Sequence, residues 1–262
     1  MENEKVLQLG TLFRLTQFKP DRLAFLHEVG MNACQLCGID DNYLAGKQGA
    51  ENTAQLAEAL KKYEIEPVSL FFSFPGQNWS SDKALNTVGM TKQCVRAKRF
   101  ASAARQMNWG MRNFGIRHLV CHVGFLPEEA AEFEHFIDDL REFCKLAKEN
   151  GQYFLFETGP ETDQEIKKCI DMLGMDNVGI NLDPANLLLY DKTEPLDFAD
   201  TARMVAVRST GRQWAGRRRS ARATQNSVKS WKNFTAQVSA ARSSSNVKFR
   251  RDRSRMQISD PR

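Results

Sequence analysis

Residues 178–186, VGINLDPAN, decide the fold: an apolar run of strand character that ends abruptly in an acid, a proline and an amide. Val178, Ile180 and Leu182 supply the apolar body of a strand. Pro184 has no N–H to give a sheet ladder, so regular pairing is expected to stop at Asp183, which places that acid at a carboxyl end. Upstream, residues 153–159 (YFLFETG) repeat the design, with an aromatic strand, then Glu157, then Thr-Gly to turn the chain. Further upstream, residues 119–125 (LVCHVGF) put His122 near the end of a third such strand. Three strands with a ligand-type side chain near the carboxyl end, separated by helical stretches, is how an α/β barrel presents a site. The competing reading, that acids and turn residues merely cap buried strands, accounts easily for one strand and poorly for three in register.

The rest of the chain alternates in the same way. Residues 7–15 read as the first strand, and 21–29 as a helix ended by Gly30, where a left-handed cap residue is expected. Residues 33–38 form the second strand, 50–63 an amphipathic helix with Leu56, Ala59, Leu60 and Tyr63 on one face, and 66–74 the third strand. Near-continuous apolar strands point to a parallel sheet covered by helices. The polar loop 75–89 carries Trp79, and its length marks it as a functional loop and Trp79 as a substrate-binding candidate. A long basic helix is expected over 91–114. After the His122 strand, Pro127-Glu128-Glu129 opens a helix with proline and acids in its first turn. After the Glu157 strand, Thr162-Asp-Gln-Glu165 is a capping box. The count to Asn186 is six βα-type strands, two short of a (β/α)₈ TIM barrel.

Composition divides the chain near Asp200. Of the net charge of +5, residues 201–262 contribute +14, from 13 Arg and 3 Lys against Asp252 and Asp260, which leaves −9 for residues 1–200. The second part has no Leu, Glu or His and holds ten Ser. No stretch reaches the roughly 18 apolar residues of a membrane span, and the first five residues, MENEK, are no secretory leader, so the cytoplasm is the expected compartment. Six scattered Cys in a chain this long are expected to be free thiols. Cys34-Gln-Leu-Cys37 has CxxC spacing, but residues three apart on a strand face opposite ways, so both read as core or barrel lining rather than a metal pair.

The motifs together resemble the sugar phosphate isomerase/epimerase family with the xylose isomerase-like TIM barrel. The resemblance rests on Cys34-Gln-Leu-Cys37, on residues 122–128 (HVGFLPE), on Phe156-Glu-Thr-Gly159, and on residues 181–186 (NLDPAN) with Leu189-Tyr190, and it covers about residues 7–200. It implies that Glu157 and Asp183 are metal ligands, that His122 lies in the same mouth at the substrate, and that the amide of Asn186 faces substrate. The same chemistry can be argued from the reaction. Moving a proton beside a sugar carbonyl requires an acid and a base at the carbon and a cation for the enediolate, and carboxylates with an imidazole suit Mn²⁺, Mg²⁺ or Zn²⁺. Glu157 and His122 are thus the catalytic candidates. For His122 a satisfied interior histidine beside Cys121 stays open as the alternative, and His27, His118 and His135 read as structural.

The resemblance also implies two further ligands, a histidine from strand seven and a glutamate from strand eight. Residues 201–262 contain neither residue type, and their one strand-like run is 204–207. The expected architecture is therefore an incomplete barrel over 1–200, with strands seven and eight replaced by an aberrant basic Arg/Ser-rich tail over 201–262, disordered from about residue 211. Read literally, that tail binds RNA or DNA through phosphates. Its composition is also that of a gene read out of frame, which an uninterrupted alternative frame encoding the missing strands would establish. Two carboxylates alone imply weak metal binding and little turnover, unless water or another acid such as Asp163 completes the site. Sheet edges left at strands one and six imply poor solubility or a covering partner, a homo-oligomer included. Two function classes follow: a metal-dependent isomerase or epimerase of a small sugar or sugar phosphate, inactive or nearly so in this form, and a nucleic-acid-binding or endonuclease-like relative of the same barrel.

Overall fold

Apolar runs bounded by glycines and polar turns become strands here, and the periodic stretches between them become the helices that cover those strands. A computed structural model of the 262-residue chain describes residues 9–80, 83–183, 186–187, 190 and 207–209. Strand β1 (Gly10–Arg14) leads through a turn of 3₁₀ helix (Leu15–Gln17) into α1 (Pro20–Glu28). Strand β2 (Ala33–Cys37) is followed by α2 (Asp41–Leu44) and α3 (Gly46–Lys62), and β3 (Glu66–Phe71) by α4 (Ala84–Thr87) and α5 (Gln93–Phe114). Then come β4 (His118–Cys121), α6 (Ala130–Glu149), β5 (Tyr153–Glu157), α7 (Asp163–Leu173), β6 (Val178–Leu182) and β7 (Val207–Ser209).

All neighbours in the sheet are parallel and lie in sequence order, β1 to β7. This is the TIM-barrel arrangement of the xylose isomerase-like type, incomplete among the described residues. One expectation is corrected. Strand β6 is not an edge, because β7 pairs with it, Ile180 opposite Val207 and Leu182 opposite Ser209. The sheet thus continues past residue 200, where composition changes. Ladder pairing needs only extended backbone N–H and C=O groups, so a loss of leucine and glutamate does not forbid it. Strand β1 has β2 as its neighbour among the described residues. The remainder of 201–262, including the segment expected to be disordered, lies outside the described residues.

Local signals hold with small shifts. Gly30, just past α1, has φ 77, the left-handed cap expected there. The Thr162–Glu165 capping box is formed in both directions. Pro127 and Glu128, by contrast, precede α6 rather than open it. Glu129 is the N-cap residue, and its carboxylate accepts from the N–H groups of Ala131 and Glu132, which holds its pKa below the ordinary glutamate value. The 75–89 loop contains the turn of α4. No helix among the described residues is long and apolar enough to cross a membrane.

Alternation along each strand divides the interior in two. One set of strand residues, among them Phe13, Leu36, Leu70, Leu119, Phe154 and Ile180, packs outward against Leu23, Leu56, Met107, Phe136, Leu140 and Phe143 of the helices. The other set forms a row of register partners across four strands, Cys37 beside Phe71, Phe71 beside Val120, and Val120 beside Leu155, and these four cluster on the inner face. Cys34 belongs to the outer cluster and Cys37 to the inner one, so the CxxC spacing is split across the sheet as a strand requires.

Candidate active site

The inner row fixes what stands above it. Side chains repeat every two residues along a strand, so two positions beyond Val120, Leu155 and Gly179, partners in one row, come His122, Glu157 and Asn181, and two further comes Asp183. His122 and Asp183 each lie one residue past their strands, because β4 ends at Cys121 and β6 at Leu182. The three residues singled out in the sequence therefore occupy the carboxyl ends of three adjacent parallel strands. All are buried: His122 is 4%, Glu157 2% and Asp183 0% exposed.

A polar lattice ties these strand ends together. Asn181, the register partner of Glu157, donates its side-chain N–H to the Glu157 carboxylate. The Thr158 hydroxyl accepts from the backbone N–H of Asp183 at 2.7 Å and donates to its carbonyl at 3.2 Å. The backbone N–H of Asn186 donates to Asp183 Oδ1 at 3.2 Å, and its Nδ2 donates to the Thr158 carbonyl at 3.0 Å. The amide nitrogen of Asn186, expected to face substrate, is thus used to join β5 to the segment after β6.

His122 is held from three sides. Gly124 N–H donates to Nδ1 at 3.3 Å, and the Trp79 ring stands nearly perpendicular to the imidazole at a centroid distance of 5.4 Å. Nε2 lies over Gly159, where an added Cβ would come within 2.5 Å of it and within 3.2 Å of Glu161 Oε2. Trp79 is 45% exposed and packs against His122 through this perpendicular contact. The loop carrying it is docked at its base. Met90 and Thr91 donate to Val123 O at 2.6 and 3.2 Å, and Arg99 from α5 donates to Thr87 O at 2.7 Å and to Gly89 O. Gly89, at φ 78, lies so close to Val123 that a Cβ there would stand 1.9 Å from its carbonyl oxygen.

Sequence reasoning missed four contributors. Asn181 lay inside the stretch quoted first and shares the parity of Asp183, so the strand period could have found it. Thr158 reads in sequence only as a turn residue. Arg99 looks like one more solvated cation on a basic helix, yet it is buried. Glu161, 3% exposed, sits in the turn before α7 where no periodicity points to it. Asp163, the reserve acid, is the first residue of α7. His118 stacks on Tyr153 at 5.8 Å, at the amino end of the strands and away from the site, as a structural residue would.

A divalent ion is implied by the resemblance, and Glu157 and Asp183 are the candidates to hold it. Among the described residues no group of three His, Cys, Asp or Glu side chains is placed to hold a metal ion.

The family model of the xylose isomerase-like TIM barrel matches residues 23–220, most of the chain and eleven residues beyond β7. The chain belongs to this family. Solved structures agree on the fold. A xylose isomerase domain protein from Planctomyces limnophilus superposes with a TM-score of 0.67 at 22% identity, over 77% of this chain and 72% of that one. A D-psicose 3-epimerase, crystallised in the presence of D-fructose, gives 0.63 at 12% identity over 91% and 82%. The 3-keto-D-glucoside 4-epimerase YcjR from E. coli gives 0.59 at 11% identity over 91% and 100%. No curated protein matches the sequence.

Proposed function

We propose that this site moves a proton beside the carbonyl of a small sugar or sugar phosphate, as an isomerase or epimerase does, through a cis-enediolate. The observation that carries the reading is Glu157: a buried carboxylate at a strand's carboxyl end, held by the Asn181 amide. A proton-transfer group needs position before basicity, and that bond supplies it. The carboxylate removes the proton from the hydroxyl-bearing carbon next to the carbonyl and the electron pair moves onto the carbonyl oxygen; for isomerisation the same group returns the proton to the former carbonyl carbon as the hydroxyl proton passes between the two oxygens, whereas epimerisation needs a second acid to deliver a proton from the opposite face. Trp79 adds an apolar wall for the C–H face of a sugar, and its support on His122 keeps that wall in place. The family and the sugar epimerases among its structural neighbours support the substrate class. The nucleic-acid reading is carried by the charge of residues 201–262 alone.

Deuterium exchange from solvent into a panel of ketoses and ketose phosphates, with Mn²⁺ or Mg²⁺ added, tests the proposal. A slow exchange that disappears in Glu157→Gln is expected. With two protein ligands fewer than the family pattern, the rate should lie several orders of magnitude below that of a fully liganded site. Exchange no faster in the unaltered chain than in Glu157→Gln, for every sugar tried, would sink the reading.

A further inference from the structure

Arg14 has no part in the reading above, although its place in the sheet puts it at the same mouth. It is the last residue of β1, as Glu157 is the last of β5. In register it pairs with Cys37, which belongs to the inner cluster with Phe71, Val120 and Leu155. Phe13 packs outward and Leu12 packs against the inner cluster, so the strand period turns Arg14 inward as well. A long cation on the inner face, at the carboxyl end of a strand, stands where a barrel of this kind receives its ligand.

Two observations show how that cation is presented. First, its stem is seated. Arg14 Cγ lies over Gly38, the residue after β2, which has φ 71; a Cβ added there would stand 3.2 Å from that carbon and 3.3 Å from Thr16 Cγ2. Glycine leaves the room in which the stem passes Cys37 and leans along the strand direction toward the mouth. Second, its charge is uncommitted. Arg96, Arg105 and Arg141, on the helices, each pair with an acid, whereas Arg14 makes no ion pair among the described residues. It is exposed between Phe13 and Leu15, which are 1% and 2% exposed. The acids of the site, Glu157 on β5 and Asp183 just past β6, belong to strands far from β1 in the sheet order.

We propose that Arg14 is a specificity-determining residue of the mouth: its guanidinium takes the anionic end of a sugar, a phosphate or a carboxylate, while the carbonyl end lies at Glu157. A guanidinium is a planar fork of donors that meets either group in two parallel bonds. A neutral sugar has nothing to place there. Such a contact is made equally before and during proton transfer, so its loss weakens binding and leaves the chemical step alone. The proposal rests on the sugar reading for the identity of the ligand and not for the role of the cation.

The test uses three ligands built on one carbon chain, D-fructose, D-fructose 6-phosphate and D-fructuronate, titrated calorimetrically into the full-length protein, Arg14→Gln and Arg14→Lys. One of the two anions should bind the unaltered chain roughly 10- to 100-fold more tightly than D-fructose, and which one does so identifies the group. In Arg14→Gln that ratio should fall to near one with D-fructose unaffected. Arg14→Lys keeps the charge and loses the fork, so it should retain part of the ratio. For any sugar that exchanges deuterium, Arg14→Gln should raise KM and leave kcat unchanged. The arginines past residue 200 are the same in all these chains and produce no difference between them. A ratio unchanged in Arg14→Gln, or D-fructose bound as tightly as both anions, would overturn the proposal. Should none of the three bind, the sugar reading falls and inorganic phosphate judges Arg14 alone. The Arg14 Nε–H signal, identified by its loss in Arg14→Lys, should then shift saturably with added phosphate, and a signal that stays in place overturns the assignment.

Discussion

At the scale of single residues, the site depends on pairs that sit opposite each other in the sheet register. Asn181 faces Glu157 because parallel partners point the same way, and its amide then donates to the carboxylate. A hydrogen bond to a charged group is worth about 1.5–3 kcal/mol. Asn181→Ala should therefore slow Glu157-dependent deuterium exchange roughly 10- to 150-fold, mainly in kcat, with the fold retained. Exchange at the unaltered rate would show that the carboxylate does not rely on this partner. The cysteines illustrate the opposite case, residues whose type suggests chemistry and whose surroundings remove it. Cys34 and Cys144 are buried free thiols whose pKa burial pushes to about 12, so they are core side chains and not nucleophiles at neutral pH.

At the scale of elements, helices and loops act as clamps on the strand ends. Helix α5 reads from sequence as a long basic helix, and Arg96 and Arg99 are buried in it. Arg96 pairs with Glu132 and Asp139 of α6, and Arg99 ties down the base of the Trp79 loop. Helix α6 begins with a cap that titrates. Glu129 accepts from two backbone N–H groups, which lowers its pKa in the folded chain. A depressed carboxyl pKa contributes stability above the unfolded-state value and loses it as pH falls through the folded one. The Tm of the unaltered chain should thus exceed that of Glu129→Gln at pH 7, and the difference should shrink as pH falls below the ordinary glutamate range. A difference that stays constant down to pH 3 would mean that the charge plays no part in the cap.

At the scale of the whole molecule, the question is where the sheet ends. The break in composition suggests a cut after Asp200, but β7 lies beyond it and covers the β6 edge. Two truncations separate the roles of sheet and tail. Removal of everything after Asp200 should expose the β6 ladder, lower Tm by at least about 2 °C and promote aggregation, whereas removal after Thr210 should spare the sheet. Any nucleic-acid affinity carried by the arginines should drop in both and, in the full chain, weaken steeply with salt. Equal Tm and solubility for the two truncations would show that β7 adds nothing to the sheet.

The sequence by itself determined the alternating strands and helices, the parallel sheet in chain order, the split of Cys34 from Cys37, and the three strand ends with His122, Glu157 and Asp183. Each of these is written in short-range patterns: apolar runs, periods of 2.0 and 3.6, and turn residues that stop a strand. What joins the strand ends was not legible, because it depends on register. Asn181 meets Glu157, and Thr158 meets Asp183 and Asn186, only once the crossover through α7 has set β5 and β6 side by side. The pairing of β7 with β6 was hidden for a related reason. A strand at a sheet's edge is chosen by the backbone groups waiting beside it, and those belong to a segment some 25 residues earlier in the chain, at Ile180–Leu182.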